Sequence, residues 1–378
     1  MNRTEPSAGR VTRCAVMAGA IAIALLSGRN VDSPTTLSTR ALAATVAGAG
    51  VGDTPKGTVW VVNRDLGQLA IFDASTGELL RPPVPVGRGA HDICISEQVG
   101  KAYVTAETDN VVTVIDTDTL ETTSIPVGPL PHHVEPSNNG HTVYVSLASH
   151  PATLPAIGAP QYAAIDTRDN SVTYGTTSLN AAARSHGVTP TLDDDTLYVA
   201  HDTGNEVTGL SLETGAILFS VPNILRAEEL IPSRSGDTLW VSSRGDGSIK
   251  RIDLASHAIT ASIPIGVQPE SMMLTPTERT LVVNLRGTPA SLGFVDTTTA
   301  DDPAPAVQIV PIAGAGSAGD LAVMTQNGHF VFATYDRGAT GKGGIVVVDV
   351  RTRQIVNTWE YPGTGRPHGI WYSRDARF

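Results

Sequence analysis

The sequence predicts an all-β protein, a seven-bladed β-propeller of four-stranded antiparallel blades, and three observations support this prediction. Seven short apolar segments recur, most of them about 41 to 43 residues apart with two longer intervals, and such a period indicates a repeat architecture. Gly (37) and Pro (25) are common while aromatic residues are few, as expected for many short strands joined by tight turns. The last strand-like segment, around Pro367-His368-Gly369, lacks the turn and second strand that follow its equivalents elsewhere.

Each recurring segment is a short apolar strand that begins with an aromatic or Val residue. The seven segments are Trp60-Val61-Val62, Tyr103-Val104-Thr105, Tyr144-Val145-Ser146, Tyr198-Val199-Ala200, Trp240-Val241-Ser242, Val282-Val283-Asn284 and Val331-Phe332-Ala333. One strand precedes each segment and two follow it. Radially arranged sheets of this size leave only short unpaired edges, which favours a propeller.

The order within a unit is constant, and we label its strands A to D from the propeller axis outward. Strand A leads through a polar turn to the Tyr-Val strand B. Strand C commonly ends in Asp, as at Asp116 and Asp253. A polar turn then leads to strand D, which ends in motifs such as Ile125-Pro126-Val127-Gly128. Alternating apolar strands and turn residues of this kind predict an antiparallel meander.

The unfinished C-terminal unit predicts how the ring closes. Blade 1 takes strands B to D from Thr58 to Val86 and its strand A from His368 to Ser373. The C-terminal strand therefore pairs with the N-terminal blade. We expect a propeller over residues 58–378, preceded by a linker at 44–57.

Residues 1–43 have the pattern of a secretory signal peptide. Basic residues precede an apolar run over 14–26, which is shorter than the roughly 20 residues that span a bilayer. Ala41-Leu42-Ala43 fits a cleavage site, although the pattern does not fix where cleavage occurs. We therefore expect a secreted or cell-envelope protein with no stable membrane span.

The formal net charge is -11, and the basic residues are scattered along the chain. Binding to nucleic acid depends on clustered cations that neutralise phosphates, so the composition argues against a nucleic-acid partner. We expect a monomer.

Several motifs resemble those of a known group. Tyr103-Val104-Thr105, the segment from Val111 to Asp116, and Pro367-His368-Gly369 are similar to the repeats of YVTN-repeat, YncE-like seven-bladed propellers, many of which are exported. The resemblance runs from about Val59 to the C-terminus. It implies the fold and says little about chemistry.

A collar of His and acidic residues is predicted at one mouth of the central channel, because every strand A contributes one such residue near its start. The seven collar residues are His91, His132, His186, Glu228, Glu270, Asp320 and His368. The four imidazoles suit a transition metal (Cu, Fe or Zn, unassigned), with the three acids as second-layer partners or counter-charges.

The loops between strands B and C return to the same mouth and supply a second set of polar residues. This set is Arg64, Glu107, His201, Asp202, Arg244, Arg286 and Tyr335. Its three Arg suit the capture of a small anionic molecule. Alternatively, they form ordinary salt bridges with Glu107, Asp202 or Asp65.

Two functional interpretations remain open. The metal-binding interpretation allows an oxidoreductase or a lyase, but whether the protein is an enzyme is undecided. Repeats derived from one ancestral unit would also carry several His without a metal, which favours a metal-free envelope or surface module that binds protein or cell wall. His133, His141, His257 and His329, which lie at other positions of the repeat, are expected to be solvated. Cys94, the only cysteine left after signal cleavage, is expected in the core and cannot form an intramolecular disulfide.

Overall fold

The structure, a computed structural model, describes residues 54–148, 161–178, 183–314, 317–338 and 341–374. The predicted signal peptide and most of the predicted linker lie outside the described residues. Within the described part of the chain, no helix is long and apolar enough to cross a bilayer.

The described residues form seven four-stranded sheets, which are the blades. Blade 1 contains β28 (Pro367–Ser373), β1 (Thr58–Asn63), β2 (Gln68–Asp73) and β3 (Val84–Pro85). Blade 2 contains β4 (Ala90–Ser96), β5 (Lys101–Ala106), β6 (Val111–Asp116) and β7 (Thr122–Pro126). Blade 3 contains β8 (Pro131–Pro136), β9 (Thr142–Leu147), β10 (Tyr162–Asp166) and β11 (Val172–Gly175). Blade 4 contains β12 (Ser185–Pro190), β13 (Thr196–His201), β14 (Glu206–Ser211) and β15 (Ile217–Pro222).

The last three blades follow the same order. Blade 5 contains β16 (Ala227–Pro232), β17 (Thr238–Ser243), β18 (Ser248–Asp253) and β19 (Ala258–Pro264). Blade 6 contains β20 (Pro269–Leu274), β21 (Thr280–Leu285), β22 (Ser291–Asp296), a 3-10 turn (Thr297–Thr299) and β23 (Val307–Pro311). Blade 7 contains β24 (Ala318–Met324), β25 (Phe330–Asp336), β26 (Gly344–Asp349) and β27 (Gln354–Glu360). All neighbouring strands within a blade are antiparallel, so the predicted fold class is confirmed.

The innermost strands β28, β4, β8, β12, β16, β20 and β24 contact one another in a closed circle. They are the seven A strands, and they surround the central channel.

The ring closes in blade 1, where β28 pairs with β1 in the predicted manner. Thr58 lies opposite Ser373, and the pairing continues to Asn63 opposite Pro367. Two side chains reinforce the closure. Arg366 Nη2 lies 2.7 Å from Asp65 Oδ1, and the Tyr372 hydroxyl donates a 2.5 Å hydrogen bond to the Lys56 carbonyl. Strands from the two ends of the array therefore share one sheet.

The hydrophobic core is divided among the interfaces between blades. Seven clusters of buried apolar residues are present, and each combines side chains of two adjacent blades. Cys94 is fully buried in the cluster between blades 2 and 3, as predicted. Burial of this apolar area between neighbours is what holds the ring together.

The recurring Asp at the end of strand C caps the following turn. Asp116 Oδ1 accepts hydrogen bonds from the backbone N–H groups of Asp118 and Thr119, at 3.1 and 2.8 Å. Equivalent bonds to the turn occur at Asp73, Asp166, Asp253, Asp296 and Asp349. A short carboxylate is suited to this role because it can accept bonds from the backbone two and three residues ahead.

Every A strand carries a β-bulge at the same place. In blade 2, Ala90 lies opposite Ala106 but Ile93 lies opposite Val104, so strand A contains one extra residue. The same one-residue shift occurs in the other six blades. A bulge bends the strand and redirects its side chains, and here it falls on the collar residue and the residue after it.

Candidate functional site

The seven collar residues lie on the ring of A strands, each at the bulge of its blade. Six of them are almost fully buried, and only the His132 side chain, at 14% exposure, is partly accessible. Four His on consecutive blades occupy one side of the channel, and three acids occupy the other. The collar therefore has a nitrogen half and an oxygen half.

The four imidazoles of the nitrogen half form one contiguous arc. The ring centroids of His368 and His91 are 4.0 Å apart, those of His91 and His132 are 3.8 Å apart, and those of His132 and His186 are 4.4 Å apart. The structure thus brings together all four His that the sequence proposes as ligands.

The pair His132 and His186 has a specific geometry. His132 Nδ1 lies 2.5 Å from Glu107 Oε1, and His186 Nδ1 lies 3.0 Å from the Glu228 carbonyl oxygen. Both partners are acceptors, so each Nδ1 carries a proton. When the rings are neutral, the two Nε2 atoms carry lone pairs, and they face each other at 3.0 Å. Two lone pairs at this separation repel unless a cation lies between them.

A carboxylate oxygen joins the same point. Glu228 Oε2 is buried and lies 2.6 Å from His186 Nε2, close enough to accept a hydrogen bond when that nitrogen carries a proton. His132 Nε2 and Glu228 Oε2 therefore both approach His186 Nε2. Either a proton on His186 or a metal ion would satisfy the three acceptor atoms.

The oxygen half is bridged by arginines. Arg244 Nη1 lies 3.2 Å from Glu228 Oε1 and 3.4 Å from Glu270 Oε2. Arg286 spans Glu270 and Asp320, with both contacts at 3.5 Å. Asp320 also lies 3.1 Å from His368 Nε2, which links the two halves.

Protonation differs between the two halves. Burial, followed by the charge of neighbouring His residues, holds the pKa of His91 and His132 well below the usual range. Burial lowers the pKa of His186 too, but the Glu228 carboxylate outweighs it and the net shift is upward. Burial raises the pKa of Asp320 to about 7. At neutral pH His91 and His132 are thus neutral imidazoles, the form that ligates metals, whereas the Glu228 carboxylate favours a proton on His186 that a metal ion would have to displace.

Several buried side-chain atoms of the collar make no hydrogen bond within the described part of the chain. Glu228 Oε2, Glu270 Oε2, Asp320 Oδ1 and His368 Nε2 have only the ion pairs given above, and His91 Nδ1, Asp320 Oδ2 and His368 Nδ1 have neither an ion pair nor a hydrogen bond. A buried polar atom without a hydrogen bond typically costs about 1 to 3 kcal/mol. A site that concentrates such atoms is suited to a ligand that would satisfy them.

Three sets of donor atoms in and beside the collar are close enough to hold one ion each. The atoms of His186, Glu228 and Glu270 lie within 4.8 Å of one another, as do those of His91, His132 and His133, and those of His133, His186 and Glu229. His133 and His186 each belong to two of these sets.

The predicted second set of residues divides into two groups. Glu107 pairs with Arg64 and holds His132, so both belong to the collar surroundings. Arg64 therefore has the salt bridge of the alternative interpretation, whereas Arg244 and Arg286 pair with the collar acids themselves.

The other three residues of that set point elsewhere. Buried His201 places Nε2 3.0 Å from Thr208 Oγ1, and Asp202 pairs with Arg184. Tyr335 is buried in the apolar cluster between blades 6 and 7. None of these three makes a contact with a collar His among the described residues.

The expectation that His133 is solvated is wrong, although His141, His257 and His329 are exposed as predicted. His133 is 5% exposed, with Nδ1 3.0 Å from Asp92 Oδ2 and Nε2 3.0 Å from Glu229 Oε1. Burial opposes its protonation, but the two carboxylates raise its pKa well above the usual range. Its ring centroid is 4.7 Å from that of His132.

The bulge explains this error, because it alters the alternation of faces on which the expectation rested. A second ring of side chains follows the collar. It consists of Asp92, His133, Gly187, Glu229, Ser271, Leu321 and Gly369. A Cβ on Gly187 would lie 2.9 Å from Glu229 Oε2, so the absence of a side chain in blade 4 lets Glu229 reach His133 of blade 3.

Hydroxyl groups on strand B fix the bulges, and sequence reasoning missed them. Thr105 Oγ1 accepts a 3.0 Å bond from the Asp92 N–H and donates a 2.7 Å bond to the His132 carbonyl of the next blade. Ser146, Ser242 and Thr334 accept equivalent bonds from His133, Glu229 and Leu321. The signal was present as a hydroxyl residue that recurs after the Tyr-Val pair or its equivalent.

Comparisons with known proteins support the fold. No family model matches the chain, and no curated protein matches it. Among solved structures, a candidate 6-phosphogluconolactonase from Bacteroides fragilis is 12% identical, with a TM-score of 0.63 over 86% of this chain and 100% of that one. Hydrazine synthase from Kuenenia stuttgartiensis is 16% identical, with a TM-score of 0.60 over 81% and 92% of the two chains. Virginiamycin B lyase from Staphylococcus aureus is 15% identical, with a TM-score of 0.58 over 83% and 92%. At these identities the likeness establishes a seven-bladed propeller fold that is shared with several enzymes.

Proposed function

We propose that the collar binds a transition-metal ion, with His132 and His186 as its central ligands. The observation that carries this proposal is the facing pair of Nε2 atoms, 3.0 Å apart, with both Nδ1 atoms held by acceptors. Bonds of about 2.1 Å to a tetrahedral metal would place two nitrogens roughly 3.4 Å apart, close to the spacing found here. An acceptor on the far ring nitrogen is also the usual support of a metal-bound His.

The remaining collar residues extend the ligand set. His91 lies beside His132 in the arc, and Glu228 Oε2 lies beside His186 Nε2. His368 lies farther along the arc and is paired with Asp320. Imidazole with limited carboxylate favours Zn, Cu or Fe over Mg or Ca, which prefer shells of oxygen.

A small anionic molecule is the ligand class that this metal would attract. Around the collar, five arginines pair with five carboxylates, so the formal charge is balanced without a metal. A divalent ion adds two positive charges at the centre, and Arg64, Arg244 and Arg286 have side chains with 15 to 29% exposure at the rim. Redox or lyase chemistry on a bound carboxylate or phosphate would suit such a site.

We also propose a family and a location for the protein. The hydroxyl after the Tyr-Val pair and the closure at Pro367-His368-Gly369 support membership of the YVTN-repeat, YncE-like propellers. The N-terminal sequence pattern supports export to the envelope or the medium as a monomer. N-terminal sequencing of the mature protein would test export, since an intact N-terminus would contradict it.

Metal content is the direct test of the proposed function. After growth with Zn, Cu and Fe supplied, we expect close to one equivalent of one of them per chain by elemental analysis. The double variant His132→Ala/His186→Ala should lose it, whereas His141→Ala, which removes an exposed His in the turn before β9, should retain it. Less than about a tenth of an equivalent in the folded wild type would favour the alternative, a metal-free interaction module.

A further inference from the structure

The channel continues beyond the collar as a second cavity that the proposed metal site does not use. It has a volume of about 180 Å³ and is lined by the A strands of six blades, all except blade 4. Glu135, Val323 and Trp371 in its wall are partly exposed, so the cavity opens to solvent. Blade 4 contributes Gly187 at the equivalent level, which leaves room on that side.

One wall of the cavity is acidic. Asp92, Glu135 and Glu229 come from three different strands and converge on it, with His133 as the accompanying cation. None of the described residues that line it is a Lys or an Arg. Three acidic side chains thus face one His, so the acidic groups of the wall outnumber the basic one.

The acidic side chains of this wall hold His133 between them. His133 Nδ1 lies 3.0 Å from Asp92 Oδ2, and Nε2 lies 3.0 Å from Glu229 Oε1. Burial, and then the charges of Asp92 and Glu229, raise the pKa of Glu135 to about 8. A neighbouring carboxylate that raises the pKa of an acid is a source of negative potential, which favours a cation at this wall.

The opposite wall is apolar and aromatic. It contains Met272, Leu321 and Ile370, with the partly exposed indole of Trp371. An indole attracts a cation above its face, while the aliphatic side chains accept a hydrocarbon body. The two walls together suit a molecule with a cationic head and a short apolar part.

We infer that this cavity binds a small primary amine in its ammonium form, with the ammonium group against Asp92, Glu135 and Glu229. The apolar body would then lie along Leu321, Ile370 and Trp371. A volume of 180 Å³ equals on the order of six water molecules, which matches an alkyl chain of about five or six carbons. This site adjoins the collar, since His133 and Glu229 in its wall also approach His186, but the contacts proposed for the amine do not involve the metal.

Calorimetric titration with n-hexylammonium tests the inference. We expect one site per chain, at least tenfold weaker binding of methylammonium because it lacks the apolar body, and no binding of hexanoate in the cavity. Metal-stripped and metal-loaded protein should bind the amine alike, so failure of the metal proposal would leave this result unchanged.

Variants locate the site. Asp92→Asn and Glu135→Gln should each weaken n-hexylammonium binding at least fivefold, whereas Glu121→Gln, at an exposed turn, should leave it unchanged. Because a channel variant can fail to fold, the wild-type melting temperature provides a second measurement. It should rise with n-hexylammonium and not with methylammonium. Equal effects of the two amines, or equal binding by the folded Asp92→Asn and Glu121→Gln variants, would overturn the inference.

Discussion

The chemical state of the collar depends on individual acceptors that hold individual His nitrogens. Glu107 accepts from His132 Nδ1, and the Glu228 carbonyl accepts from His186 Nδ1, which leaves both Nε2 lone pairs directed at one point. Sequence alone could place these His on one ring, but it could not choose their tautomers. That choice follows from neighbours on other strands.

Replacing Glu107 with Gln should lower metal affinity about tenfold or more. The carboxylate orients His132 and makes it more basic, and loss of such a partner typically costs 10- to 100-fold. Competition against a zinc chelator would measure the change. Asp202→Asn is the matched control, since Asp202 pairs with Arg184. An equal loss of metal affinity in both variants would show that removing any charge at the rim weakens metal binding, and that Glu107 has no specific role.

Glu135 should make the protein less stable as pH rises. Its folded-state pKa is raised to about 8, above the ordinary value of a carboxyl, so the folded state binds more protons between about pH 4.5 and 8. The free energy of unfolding therefore falls with rising pH across that window. At pH 8.5, Glu135→Gln should be more stable than the wild type by on the order of 2 kcal/mol, after allowance for partial solvation of the channel.

Denaturant unfolding of both proteins at pH 5 and pH 8.5 would test this expectation. The two proteins should converge at pH 5, where the Glu135 carboxyl is protonated in the folded state. A constant difference at both pH values would contradict the assignment.

Among the elements, the bulged A strand is the one on which the site depends. The bulge gives two consecutive residues to the channel, and in blades 2, 3, 5 and 7 a hydroxyl on strand B satisfies the N–H that the bulge leaves out of the ladder. Thr105 does this for Asp92 and also contacts the His132 carbonyl in the next blade. It therefore connects strand geometry to collar geometry.

Replacing Thr105 with Val should cost about 1 to 3 kcal/mol of stability, because it leaves a buried N–H and a buried carbonyl without this partner. It should also weaken metal binding, since His132 loses one of its backbone restraints. Thr105→Ser should restore both properties. Thr122→Val, on the exposed strand β7, is the control. A Val variant as stable as this control would show that the hydroxyl is dispensable.

The strands also decide which features of the fold and the site could be predicted from the sequence. The period of the Tyr-Val segments and the unfinished repeat at Pro367 were sufficient for seven blades and their closure, because strand alternation and turn residues are local signals. His133 was misplaced because a bulge breaks the two-residue alternation and leaves no mark on apolar periodicity. Register also predicted rim positions for Tyr335 and His201. In the structure Tyr335 packs in an apolar cluster, and His201 contacts Thr208.

For the whole molecule, ring closure and site assembly involve the same strand. β28 completes blade 1, packs with β4 and β24 on either side, and carries His368 into the arc. Its loss would open the ring and expose the apolar clusters on both sides of blade 1.

Ending the chain after Arg366 should therefore lower the unfolding free energy by several kcal/mol, because blade 1 loses its innermost strand. Ending it after Arg374 keeps β28 complete and should have little effect. Thermal and denaturant unfolding of the two truncations would measure the difference. Equal stability would mean that the ring does not rely on the shared sheet.

The proposed function requires a metal at the collar, between His132 and His186. Anomalous diffraction from crystals grown with Zn, measured at the zinc absorption edge, would locate it. We expect one peak at the collar, about 2.1 Å from Nε2 of both His, which disappears in the His132→Ala/His186→Ala variant. A well-ordered wild-type collar without a peak, or the same peak in the double variant, would contradict the claim.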